Sequence, residues 1–127
     1  MMESAHVRPR ILIVEDEAIV ACDIQSRLES FDYDVVAIAS SGDQALRMAA
    51  ANPPDLILMD VVMPGQNGFQ LTRAISRDPQ FAEVPIIMCT SKNQETDRVW
   101  GIRQGARDYI TKPVDGEELI AKIEALG

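Results

Sequence analysis

The chain has 127 residues, of which 46% are hydrophobic, 25% charged and 5% aromatic, the proportions of one globular domain with a core of its own. Twenty acids against 12 bases leave a net charge of −8, and no basic stripe offsets it, which argues against a nucleic acid or an anionic membrane as partner. The apolar runs Leu56 to Met59 and Val84 to Cys89 are too short to span a bilayer, and the N-terminal stretch lacks the apolar segment of a signal peptide. The expectation is a soluble, cytoplasmic chain. Its two cysteines, Cys22 and Cys89, sit in apolar patterns and are expected as buried, reduced thiols.

Residues 1–8, with the single His6, read as a flexible tail, and residues 9–127 as one domain. Ile11 to Val14 is a first strand. A helix follows from about Ala18 to Phe31, with Val20, Ile24, Leu28 and Phe31 along one face. Asp34 to Ala39 is the second strand and Gly42 to Ala51 the second helix, stopped by Asn52-Pro53-Pro54. Leu56 to Met59 is a third strand, continuously apolar as expected when both faces are covered. After a turn at Pro64-Gly65 comes a helix from about Gly68 to Arg77, with Leu71, Ala74 and Ile75 inward. Val84 to Cys89 is the fourth strand, Gln94 to Gln104 a weaker helix, Arg107 to Thr111 the fifth strand. The last helix runs from Asp115 to Leu126, with Leu119, Ile120, Ile123 and Leu126 as its stripe. Strands alternating with helical crossovers make a doubly wound α/β domain with a parallel sheet. Periodicity leaves the strand order open.

In such a sheet ligands bind outside the carboxyl ends of the strands. The first strand ends in Glu15-Asp16, the third in Asp60, the fourth in Thr90-Ser91, the fifth in Lys112-Pro113. Each has a structural alternative. Asp16, with Glu17 behind it, suits the start of a helix, Asp60 a loop or helix start, Ser91 a cap, and Lys112-Pro113 a solvated turn. Together they predict three carboxylates, a hydroxyl and an amine along one edge. Clustered carboxylates repel unless a cation offsets them, and an oxygen-rich pocket suits Mg²⁺. Mg²⁺ beside an amine and a hydroxyl is what phosphoryl transfer requires. Neither a P-loop nor a dinucleotide-binding glycine motif is present, so the nucleophile is expected to be a side chain, with Asp60 the central candidate.

Ile-Leu-Ile-Val-Glu-Asp-Glu at 11–17, Pro-Asp-Leu-Ile-Leu-Met-Asp at 54–60, Met-Pro-Gly at 63–65 with Asn67-Gly68, Thr90-Ser91, Gly105-Ala106, and Tyr109 to Pro113 resemble response-regulator receiver domains. The spacings fit together: 44 residues from Asp16 to Asp60, 30 on to Thr90, 22 more to Lys112. The resemblance covers residues 9–126 and implies a flavodoxin-like sheet of order 2-1-3-4-5. It implies Asp60 as phosphoacceptor, Asp16 as a direct Mg²⁺ ligand, Glu15 acting through water, and the backbone carbonyl of Val62 as a further ligand. Lys112 would contact the phosphoryl group beside a cis peptide to Pro113, and Thr90 and Tyr109 would form a switch pair. The implied partners are a histidine kinase as phosphodonor and a downstream protein on the face of the fourth helix, fifth strand and fifth helix. Residues 92–101, with Gly68-Phe69-Gln70, are similar to single-domain regulators of twitching motility in the type IV pilus branch. The run from Glu15 to Ala21 is more similar to receivers attached to sensor kinases. Trp100 reads either as core filler or as part of the partner face.

The resulting expectation is a stand-alone phosphoacceptor that also speeds its own dephosphorylation. With no room for an output domain after Leu126, its output would be protein binding or phosphate buffering for another regulator. The alternatives are a phosphorylation-independent docking module, and a receiver excised from or fused within a larger hybrid kinase, natural or engineered. An aspartyl-phosphate hydrolase resembling the haloacid dehalogenase superfamily would need a second Asp where Val62 stands.

Overall fold

The computed structural model describes residues 9–61, 68–90 and 95–126. Five strands alternate with five helices: β1 (Arg10–Val14), α1 (Ala18–Ser30), β2 (Asp34–Ala39), α2 (Gly42–Ala51), β3 (Leu56–Asp60), α3 (Gly68–Arg77), β4 (Ile86–Thr90), α4 (Glu95–Gln104), β5 (Asp108–Thr111) and α5 (Gly116–Leu126). All pairings are parallel, in the order β2-β1-β3-β4-β5, as the family resemblance implies.

The burial pattern explains the order. Every residue of β3 and β4 is buried, as are four of five in β1, so these strands need cover on both faces and stand inside the sheet. β2 and β5 are only partly buried and form the edges. Pleat alternation sends Ile11 and Ile13, Leu58, Ile87 and Ile110 to one face, where Ala21, Ile24 and Leu28 of α1 and Leu119, Ile120 and Ile123 of α5 meet them. Leu12 and Val14, Ile57 and Met59, Ile86 and Met88 take the other face, against Ala45 and Ala49 of α2 and Leu71 and Ile75 of α3. The sheet thus separates two cores.

Several element ends and facings differ from the sequence reading. β4 starts at Ile86 rather than Val84, because Pro85 has no N–H and the Val84 N–H donates to Phe81 in a turn. Phe31 is 45% exposed: it has the spacing of the buried stripe of Ala21, Ile24 and Leu28, but α1 ends at Ser30 and Phe31 is its C-cap at φ −105°, where the chain has left the helix. Cys22 is exposed rather than buried, about 100° round the helix from Ala21, while Cys89 is buried as expected. In α3 the buried face is Gly68, Leu71, Thr72 and Ile75, and Ala74 falls off its edge into solvent. α5 starts at Gly116, with Asp115 ahead of it accepting the Glu117 and Leu119 N–H groups. The tail 1–8, the Pro64-Gly65 turn and Ser91 lie outside the described residues. Among the described residues no helix is long and apolar enough to cross a membrane.

Candidate functional site

Strand register brings the site together. Val14 pairs with Met59, so the residues that follow, Glu15 and Asp60, leave the sheet at one level. Asp60 pairs with Cys89, Thr90 with Thr111, and the Lys112 N–H donates to the Thr90 carbonyl at 2.6 Å. Alternation then sorts the tips. Glu15 follows Ile13, Asp60 follows Leu58 and Lys112 follows Ile110, all two residues on and therefore on the α1/α5 face. Thr90 follows Met88, and Tyr109 is Met88's cross-strand partner, which puts that pair on the other face.

On the first face the Lys112 ammonium donates to Glu15 Oε1 at 2.5 Å and to Asp60 Oδ1 at 3.0 Å. Glu15 and Asp60 are buried, at 2% and 6% exposure, so the shared cation is what lets two carboxylates sit together there. Burial alone would pull the Lys112 pKa down, but its hydrogen bonds to Glu15 and Asp60 and their charges outweigh this, and it stands above the ordinary lysine value. Glu15 Oε2 accepts the Glu17 N–H at 3.1 Å. The N-cap position of α1 is Glu17, with no side-chain capping bond, so the helix-cap alternative for Asp16 does not hold. Asp16 is exposed at the rim instead, and one carboxylate oxygen from each of Glu15, Asp16 and Asp60 lies within 4.8 Å of the others. Two buried acids and an exposed one, all oxygen donors and open to water on one side, suit a hard divalent cation. Beneath them the Cys89 thiol is pushed from 9.0 up to about 12, chiefly by burial.

α3 presses on this site from its N-terminus. The Gly68 N–H donates to the Val61 carbonyl at 2.7 Å, and a Cβ at Gly68 would stand 2.1 Å from the Asp60 carbonyl oxygen. Only glycine permits that approach. The Lys112–Pro113 peptide is cis. Val62, whose carbonyl was an expected ligand, lies outside the described residues.

On the second face Thr90 is buried at 4% exposure, and the Tyr109 ring is half-buried between two cations, with Arg98 of α4 and Lys122 of α5 each 5.8 Å from its centroid. Lys122 also donates to Asp108 at 3.2 Å. The sequence reading named Tyr109 but neither cation; the signal available was that both lie on the helices next to β5. Trp100 is 49% exposed, which removes it from the core, and it lines a groove with residues of α3.

The response regulator receiver domain model matches residues 11–124. The chain belongs to the response regulator receiver domain family. This receiver is 47% identical to protein PilH of Pseudomonas aeruginosa over 117 residues, covering 92% of the chain and 96% of that protein. It is 42% identical to the transcriptional regulatory protein BaeR of Escherichia coli, of which it spans 48% while 93% of the receiver is covered. Among solved structures, a putative response regulator from Chloroflexus aurantiacus superposes with a TM-score of 0.89 at 31% identity, covering 94% of the receiver and 97% of that chain. The receiver domain of a sensor histidine kinase from Pseudomonas aeruginosa PAO1, with magnesium ion coordinated in its active site cleft, superposes at 0.84 with 32% identity, covering 94% and 98%.

Proposed function

We propose that this receiver accepts a phosphoryl group on Asp60 from the phosphohistidine of a kinase, with Mg²⁺ at Glu15, Asp16 and Asp60, and thereby switches its binding to other proteins. The observation that carries this reading is the Lys112 ammonium shared between Glu15 and Asp60 at the carboxyl edge of the sheet. A similar receiver coordinates magnesium in its cleft, which supports the choice of ion. When bound, Mg²⁺ would supply positive charge against the phosphoryl oxygens.

The chain's own residues do the rest. An Asp60 carboxylate oxygen attacks phosphorus and the P–N bond breaks. Its electron pair stays on the imidazole nitrogen, which takes up a proton. The product is an acyl phosphate on Asp60. Lys112, already paired to Asp60 Oδ1, follows the negative charge to a phosphoryl oxygen, and the Thr90 hydroxyl donates to another. In hydrolysis, water attacks phosphorus and gives up a proton, the bond to the Asp60 oxygen breaks with its electron pair staying on the carboxylate, and inorganic phosphate leaves. Thr90 moving toward the new group draws Tyr109 inward, away from Arg98 and Lys122, and alters the face of α4, β5 and α5. The 47% identity to PilH supports a regulator in the type IV pilus branch.

Intact mass after incubation with Mg²⁺ and acetyl phosphate, quenched in acid, tests this. One added phosphoryl group is expected, absent from Asp60→Asn and from EDTA-treated protein. No adduct, together with no binding of beryllofluoride, would leave only a docking module.

A further inference from the structure

We propose that the groove between α3 and α4 is a docking site for an acidic protein segment carrying a bulky apolar side chain. Phe69, Gln70 and Arg73 of α3 and Trp100 and Gln104 of α4 line a cavity of about 340 Å³ there. It is distinct from the face of α4, β5 and α5. On α4, Arg98 turns toward Tyr109, whereas Trp100 stands two residues and about 200° away, on the α3 flank.

The groove's shape is built in. Gly101 lets α4 settle onto the sheet, since a Cβ there would come within 2.9 Å of Met88 Sδ and 3.6 Å of the Phe69 ring. Gly105, at φ +117°, brings the end of α4 against Ser76 of α3. Trp100 stands half exposed at the seam between the two helices. An exposed indole beside a second aromatic is the kind of anchor that dominates protein interfaces.

Charge selects the occupant. On a chain of net charge −8, α3 carries two arginines and no acid; Arg73 lines the groove, Arg77 lies one turn beyond it, and Arg103 lies one turn beyond Trp100. An acidic segment is repelled by most of this molecule and attracted along this line of guanidinium groups, each able to take a carboxylate bidentately. The indole and the Phe69 ring then receive the segment's apolar side chain.

Trp100 is the only tryptophan, so its emission reads the groove directly. The unphosphorylated full chain is titrated with a synthetic glutamate-rich peptide that has interspersed leucines and no tryptophan. Saturable blue-shifted emission is expected, weakening by about tenfold in Arg73→Glu and falling as salt rises from about 50 to about 500 mM. Both changes lie on exposed side chains or in the buffer, and circular dichroism checks that the variant is folded. An unchanged spectrum up to millimolar peptide, equal affinity in Arg73→Glu, or equal binding of the lysine counterpart overturns the proposal. So does a dimer in sedimentation that Arg73→Glu dissolves, since the occupant is then a second copy. Asp60 chemistry is untouched by any of these results.

Discussion

Lys112 holds two buried carboxylates apart by pairing with both. Removing the ammonium leaves Glu15 and Asp60 facing each other in a site with little water. Lys112→Met is therefore expected to lower stability in EDTA by about 3 kcal/mol, the usual cost of orphaning buried charge. Urea titrations check this, and Mg²⁺ should recover part of the deficit. The Cys89 thiol gives a pH test. Its folded pKa of about 12 lies above its ordinary 9.0, so its contribution is complete below about 9 and is lost as pH rises toward 12. Lys112, also raised, acts in the same direction. Chemical denaturation across alkaline pH should show stability falling from about pH 9, with a shallower fall in Cys89→Ala. In native protein a thiol reagent should label Cys22 quickly and Cys89 only on unfolding. Thr72 Oγ1 is fully buried with no hydrogen-bond partner among the described residues. Thr72→Val should gain about 1 kcal/mol in thermal or urea unfolding.

At the scale of elements, the sequence was legible wherever burial is complete. Leu56 to Met59 and Val84 to Cys89 are apolar runs that end at a polar residue, and both strands could be read from them, although Pro85 moves the start of β4 to Ile86. Glu15, Asp60 and Lys112 could also be grouped by the two-residue period. What resisted reading depends on helix rotation and approach. Phe31, Ala74 and Cys22 have apolar character, yet the helix end at Ser30 exposes Phe31, and Cys22 and Ala74 fall beside the buried stripes of α1 and α3. Trp100 belongs to this class: its setting follows from how closely Gly101 and Gly105 let two helices pack, which spacing does not encode. Gly68 is the sharpest case. Because a Cβ there meets the Asp60 carbonyl, Gly68→Ala should displace the start of α3 and slow acetyl-phosphate labelling of Asp60 by about tenfold, measured as adduct against time.

For the molecule as a whole, charge dominates. The pocket of Glu15, Asp16 and Asp60 adds local repulsion to a net −8, and a divalent cation relieves both. Millimolar Mg²⁺ should raise the melting temperature by a few degrees, as binding to the folded state requires. Asp16→Ala should be more stable than the parent without metal and nearly indifferent to Mg²⁺. Coincident melts of the parent with and without the ion would remove the metal site.

The division of the interior into two cores has a further meaning. The sheet is a partition with an opening at its carboxyl edge, and Thr90 stands at that opening, on the Tyr109 side of the wall. If Asp60 takes up a phosphoryl group, the news would cross there, at the tip of β4, whose successive side chains face alternate rooms. A strand buried on both sides is in that sense less a beam than a lever, and its stiffness sets how faithfully one room hears the other.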